Sequence, residues 1–315
     1  MTQKTRRLSY ILFLFSFLIS NRAPADPIIV PLQLAGRLLI VDITVNKDQQ
    51  GAFILDTGSS DLILNSQYFR GERLYDSRVI GLNGDVEKVE SQRVDLRLGH
   101  IEWENINAAI VNLAHLERRY NRTILGLLGA SVLEKVELQI DFGRLQLVFY
   151  PLDEDGNRLN TPCGEPPPSD VFPLQFKKKI PYLEKQYGGR PLKLGLDSAA
   201  EANLFHKGLL PFVDHCLSDT QEHVVRGVSG QMRKAVRAKL KGFTLGSAAY
   251  WPMPAVFISL DDFNRGLSGP RLDGILGIEF FKQYKTALNY RKGELYIWNH
   301  RPREQAEELL VNSCE

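Results

Sequence analysis

Phe53-Ile54-Leu55-Asp56-Thr57-Gly58-Ser59-Ser60 decides the reading of this chain, and Leu194-Gly195-Leu196-Asp197-Ser198-Ala199-Ala200 is a weaker copy of it. In each, one carboxylate closes an apolar run and is followed by a hydroxyl residue and a small residue. Apolar flanks of this kind predict a buried strand entering a tight turn. A carboxylate there is costly to bury unless it is hydrogen-bonded or shares a proton. One such Asp can be a turn residue. Two in similar settings, one in each half of the chain, point to a pair that meets.

The halves repeat beyond these stretches, as an internal duplication does. Leu62-Ile63-Leu64 returns as Asn203-Leu204-Phe205. The glycine-bounded tip Gly81-Leu82-Asn83-Gly84 returns as Gly227-Val228-Ser229-Gly230, each set between strands as in a hairpin. Val94, Leu96 and Leu98 alternate with charged residues, and so do Val236, Ala238 and Leu240. Ala108–Val111 is answered by Ala255–Ile258. Gly126-Leu127-Leu128-Gly129 is answered by Gly274-Ile275-Leu276-Gly277, each with a short helix expected after it, to about Val136 and Tyr284. Two strands around Gly143, and two around Gly293, close the halves.

Length and composition fit this plan. The 315 residues suffice for two ordinary domains, and 43% hydrophobic with 24% charged residues is globular composition. Net charge is +2, but Lys4, Arg6, Arg7 and Arg22 lie in the first 25 residues, which hold no acid. The remainder is slightly acidic, so bulk charge gives no argument for nucleic acid. Basic residues followed by the apolar run Leu8–Ile19 and by Ala23-Pro24-Ala25 have the three parts of a signal peptide. The expected placement is exported, periplasmic or secreted. An uncleaved anchor is the alternative, and only then is a membrane partner expected.

The domain plan is a signal peptide over 1–25, a first lobe over 26–152, a Pro-rich linker over 153–170, a second lobe over 171–300 and a charged tail over 301–315. The linker is expected to be extended and outside any sheet. Cys163, Cys216 and Cys314 allow at most one internal disulfide, and a bond from Cys163 to Cys314 is one possibility. His206, His215, Cys216 and His223 match no zinc spacing, so no metal and no cofactor is expected. Lys177-Lys178-Lys179 reads as a solvated strand or loop end, and Glu201 as a solvated turn residue or a subsite residue.

The paired motifs resemble those of the pepsin/retropepsin superfamily of aspartic proteases, and the resemblance covers nearly all of 28–300. It implies an all-β fold of two retropepsin-like (acid protease) β-barrel lobes in one chain, with a cleft between them. It implies Asp56 and Asp197 as catalytic residues. Thr57, Gly58, Ser59, Ser198 and Ala199 then support the two loops. Residues 81–84 and 227–230 are flaps, and Leu127-Leu128-Gly129 and Ile275-Leu276-Gly277 are strands threading beside the loops. The activity implied is that of an aspartic endopeptidase, a monomer acting on an extended peptide or protein.

Two like charges brought together cannot both ionise cheaply, so the pair would hold one proton. Position 199 departs from the family pattern, with Ala where Gly is usual and with the expectation of backbone strain. Ser59 offers a donor to Asp56 that Ala200 cannot match, so Asp56 is expected to carry the charge. A catalytically impaired peptide-binding protein remains open, as does a homodimer that pairs two Asp56 loops.

Overall fold

The computed structural model describes residues 26–299, except positions 72, 81–85, 188, 227–231, 251 and 267–268. Both flap tips, Gly81, Leu82, Asn83 and Gly84 and Gly227, Val228, Ser229 and Gly230, lie outside the described residues. So do the signal segment 1–25, the tail 301–315 and Cys314.

The first half runs β1 (Ile28–Pro31), β2 (Gln33–Ala35), β3 (Leu38–Val45), β4 (Gln49–Leu55), β5 (Leu62–Asn65), β6 (Arg73–Ile80), β7 (Val86–Leu98), β8 (Ile101–Val111), α1 (Ala114–Tyr120), β9 (Gly126–Leu128), α2 (Ala130–Leu133), β10 (Val136–Asp141) and β11 (Gln146–Pro151). The second half runs β12 (Asp170–Pro173), β13 (Gln175–Lys177), β14 (Ile180–Tyr187), β15 (Arg190–Leu196), β16 (Asn203–His206), α3 (Leu210–Val213), β17 (Leu217–Arg226), β18 (Met232–Leu240), β19 (Thr244–Leu245), β20 (Ala248–Ala249), β21 (Met253–Ile258), α4 (Asp261–Gly266), β22 (Gly274–Leu276), α5 (Ile278–Phe281), β23 (Lys285–Asn289) and β24 (Glu294–Trp298).

Each half folds around one eight-stranded sheet, and the two sheets share one order. The first is β2-β3-β4-β9-β5-β8-β7-β6, and the second is β13-β14-β15-β22-β16-β21-β18-β17. A third sheet, β1-β11-β10-β23-β24-β12, takes three strands from each half and joins them through the antiparallel pair β10–β23. The repeat read from the sequence is therefore a repeat of topology, and the fold is all-β with two lobes. In β10, Val136, Leu138 and Ile140 are fully buried, and its polar residues Glu137, Gln139 and Asp141 are buried with them. One apolar core runs continuously from Leu39 in the first half to Ile297 in the second. It fixes the halves on each other.

Three local expectations change. The stretch after β11 folds back: Leu152 bridges Arg158, the Arg158 guanidinium reaches Glu137 and Glu165, and the Trp298 indole donates to the Pro166 carbonyl at 2.8 Å. Lys177 is not solvated, being 2% exposed, with Nζ donating to the Pro270 carbonyl at 2.6 Å. The helices after the glycine motifs end early, at Leu133 and Phe281, because β10 and β23 must begin within a few residues to reach the shared sheet. Among the described residues Cys163 and Cys216 form no disulfide, and the partner weighed for Cys163, Cys314, lies outside them.

Candidate active site

β4 delivers Asp56 and β15 delivers Asp197. Each strand is held by a parallel neighbour, Leu55 beside Leu128 and Leu196 beside Leu276. The Asp56 amide donates to the Leu128 carbonyl and the Asp197 amide to the Leu276 carbonyl, both at 3.0 Å. The glycines that follow leave room for the Asp turns. A β-carbon on Gly129 would lie 2.3 Å from the Asp61 carbonyl oxygen, and one on Gly277 would lie 2.4 Å from that of Ala200. Leu127-Leu128-Gly129 and Ile275-Leu276-Gly277 thus sit directly beside the two turns. Asp61 contributes its backbone to this close packing.

The two turns are cross-linked by their hydroxyl residues, both fully buried. Thr57 Oγ1 donates to the Leu196 carbonyl at 3.1 Å and accepts from the Ser198 amide at 2.9 Å. Ser198 Oγ donates to the Leu55 carbonyl at 2.6 Å and accepts from the Thr57 amide at 3.1 Å. Each hydroxyl spends its donor and an acceptor on the opposite turn, so the pair is locked in register.

Above this lock the Asp56 and Asp197 carboxyls lie close enough for each to bear on the other's ionisation. Asp56 Oδ1 accepts from the Gly58 amide at 3.0 Å. Asp197 Oδ1 accepts from the Ala199 amide at 2.9 Å and the Ala200 amide at 3.1 Å. Burial is the main cause that raises both carboxyls above the ordinary Asp range. Asp56 is pushed further, because the Asp197 charge adds to its burial. The Ser59 hydroxyl, expected as a donor to Asp56, donates to the Asp61 carbonyl at 3.1 Å.

Ala199 does not strain the second turn. Neither Gly58 nor Ala199 has a positive φ, so the Gly-to-Ala change costs no left-handed backbone there. The Ala199 side chain packs against the apolar cluster of the first lobe that includes Ile40, Ile54 and Ile63.

Two features were not legible in the sequence as they stand in the fold. Glu201, read as a solvated turn residue or a subsite residue, is held by the first lobe. Its carboxylate pairs with Arg119 at 2.7 Å and accepts from the Tyr120 hydroxyl, and its carbonyl accepts from Arg37 at 3.3 Å. Tyr290, just after β23, donates its hydroxyl to the Thr57 carbonyl at 3.0 Å. Its phenol is pushed well up, first by burial and then by the Asp56 and Asp197 charges. No sequence signal marks Tyr290 except its place opposite Phe142 in the repeat. Among the described residues no group of three His, Cys, Asp or Glu side chains is placed to hold a metal ion.

Two opposed Asp turns, locked by their hydroxyl residues at the junction of two like β lobes, define the pepsin/retropepsin class of β protein. Residues 41–132 match the family described as aspartyl protease. The match spans β4, the first Asp turn and β9, and the second half repeats its strand order. Among solved structures the chain is similar to basic 7S globulin from soybean, with 7% identity, a TM-score of 0.51, and coverage of 89% of this chain and 96% of that one. It is similar to the structure titled edgp with 7% identity and a TM-score of 0.51, over 86% of this chain and 94% of that one. An aspartic proteinase from Irpex lacteus aligns at 12% identity with a TM-score of 0.49, over 89% and 99% of the two chains. No curated protein sequence matches the chain. At these identities the structural likeness speaks to the fold.

Proposed function

We propose that this chain is an aspartic endopeptidase that hydrolyses peptide bonds with water activated between Asp56 and Asp197. The observation that carries the reading is the Thr57–Ser198 lock, which brings two buried carboxyls together, both raised above the ordinary Asp range. Asp197, ionised, takes a proton from a water held between the carboxyls. Asp56, protonated, donates to the oxygen of the scissile carbonyl. Water attacks, a tetrahedral intermediate forms, and the acid and base exchange roles as the amine leaves. An extended peptide lying between the lobes is the substrate form that suits strand-like recognition. One chain supplies both carboxyls, which supports a monomer.

The test is cleavage of a diverse peptide library across acidic and neutral pH by the full chain and by Asp56→Asn and Asp197→Asn. Loss in both variants is expected. Cleavage that survives Asp197→Asn would point to a dimer of first lobes. A folded wild type that binds peptides and cuts none would make the protein a binding module. The N-terminal pattern supports export, and sequencing the exported protein should give Asp26 as its first residue; an intact Met1 would mean an anchor.

A further inference from the structure

Tyr290 donates to one side of a single peptide group, and the other side of that group donates to Asp56. The Thr57 carbonyl that accepts the Tyr290 hydroxyl at 3.0 Å belongs to the same peptide unit as the Gly58 amide. That amide donates to Asp56 Oδ1 at 3.0 Å. The chain of atoms is phenol O–H, carbonyl, amide N–H, carboxylate. Hydrogen bonds in series through one amide polarise each other and strengthen the last member, most of all where water is excluded. Tyr290 is 8% exposed.

The internal repeat supplies the control. Gly129–Leu147 and Gly277–Leu295 run in step, residue for residue. Asp141 Oδ1 accepts the Arg144 amide at 2.9 Å, and Asn289 Oδ1 accepts the Lys292 amide at 3.0 Å, so the two turns share one geometry. Phe142 stands where Tyr290 stands. It is 1% exposed and has no hydroxyl to offer the second Asp turn. The Asp197 carboxylate accepts from the Ala199 and Ala200 amides. The hydroxyl on the Thr57 carbonyl is thus what Tyr290 adds and Phe142 cannot.

We propose that Tyr290 is a positioning residue that acts on Asp56 through the Thr57–Gly58 peptide, fixing that carboxyl and stabilising the negative charge it gains when it gives up its proton. The inference rests on the protease reading for its kinetic consequence and on geometry alone for the relay. In the proposed reaction the relay works when Asp56 protonates the scissile carbonyl. It therefore acts on turnover more than on substrate binding. Asp56 is faced by Asp197 from the second turn and by Tyr290 from the loop after β23, and Tyr290 is the partner that can be removed without touching the dyad.

The experiment compares the full chain with Tyr290→Phe, a ring that the equivalent position already accommodates. Loss of the hydroxyl should lower kcat about tenfold, the usual weight of one buried hydrogen bond, with KM within about twofold. A weaker donor leaves ionised Asp56 less stabilised, so its midpoint rises. The basic limb of the kcat profile and the Asp56 carboxyl-carbon titration seen by NMR should both move up, by about half a pH unit. The Gly58 amide proton should shift upfield. In the unaltered chain, exchange of the Tyr290 hydroxyl into deuterium should shift the Thr57 carbonyl carbon. An unchanged Asp56 midpoint with an unchanged Gly58 amide, or an unchanged kcat in an active enzyme, overturns the relay. A wild type that cleaves nothing overturns the protease reading alone, and the NMR measurements then decide the relay.

Discussion

Gly58 faces the carboxyl of Asp197 so closely that a β-carbon on it would lie 2.4 Å from Asp197 Cγ. The glycine is required by space, since its φ lies outside the left-handed region. Its counterpart Ala199 directs a methyl group into the apolar cluster of the first lobe instead. The two positions are equivalent in sequence and opposite in consequence. Gly58→Ala should push the Asp197 carboxyl off Asp56 and reduce kcat by at least about a hundredfold, as small displacements in preorganised sites do. Ala199→Gly should leave kcat within about threefold and lower the melting temperature slightly through lost packing. Steady-state kinetics and thermal melts of the two variants check both statements. Equal losses in the two would mean that the turns are interchangeable.

The hydroxyl lock makes a separate prediction about folding. Thr57→Val keeps shape and removes a buried donor and acceptor together. It strands the Ser198 amide and the Leu196 carbonyl, which Thr57 Oγ1 now serves. Buried polar groups left without partners cost about 1–3 kcal/mol each, so a loss of about 2–6 kcal/mol is expected. Ser198→Ala removes the reciprocal pair to Leu55 and Thr57 and should cost a similar amount. Because the four bonds form one network, the double variant should lose less than the sum of the singles. Denaturant melts of the four proteins measure this coupling, and simple additivity would count against a network.

Both carboxyls of the pair are raised above the ordinary Asp range, Asp56 the more so. A group whose pKa is higher in the folded protein than in the unfolded chain contributes stability below its unfolded value. That stability is lost as pH rises through the folded value. The native chain should therefore lose melting temperature between about pH 4 and the elevated Asp56 value. Asp56→Asn removes the second charge and should flatten that slope while abolishing cleavage. A melt series against pH on wild type and variant decides it; identical slopes would mean that the pair ionises without strain.

The strands and the two Asp turns were legible because their signals are local. Phe53-Ile54-Leu55 and Leu194-Gly195-Leu196 are short apolar runs that end at a carboxylate, and repetition made each half a witness for the other. What escaped reading depended on partners far along the chain. Lys177 sits among charged neighbours in sequence, yet its amine is enclosed by Asn264 and the Pro270 carbonyl. Glu201 follows a polar turn, and only the approach of α1 and the β2–β3 turn brings Tyr120, Arg119 and Arg37 to it. The Ser59 hydroxyl, three residues after Asp56, was counted as a donor to that carboxyl, but the turn aims it at the Asp61 carbonyl.

The Pro-rich stretch between the halves carries the last prediction. Its apparent looseness hides Arg158, whose side chain is only 14% exposed. The guanidinium donates from Nε to Glu137 Oε1 at 2.8 Å, meets Glu165 through Nη1 at 2.5 Å, and lies 3.6 Å from the Tyr150 ring centre. Lys285 closes the cluster on Glu165 at 2.8 Å, so residues from both halves and the stretch between them share one set of charges. Removing one partner of a buried ion cluster leaves a charge without compensation, and such losses run to about 3–5 kcal/mol. Arg158→Met should therefore destabilise by that order. Arg158→Lys, which keeps the charge and loses the fork, should fall between. Burial works against the Glu165 charge, but Lys285 and Arg158 outweigh it and hold its carboxyl below the ordinary Glu range. Stability from this group is present above the unfolded value and is lost as pH falls through the folded one. The difference in melting temperature between wild type and Arg158→Met should accordingly shrink below about pH 4. A constant difference across that range would assign the role of Arg158 to packing on Tyr150 rather than to charge.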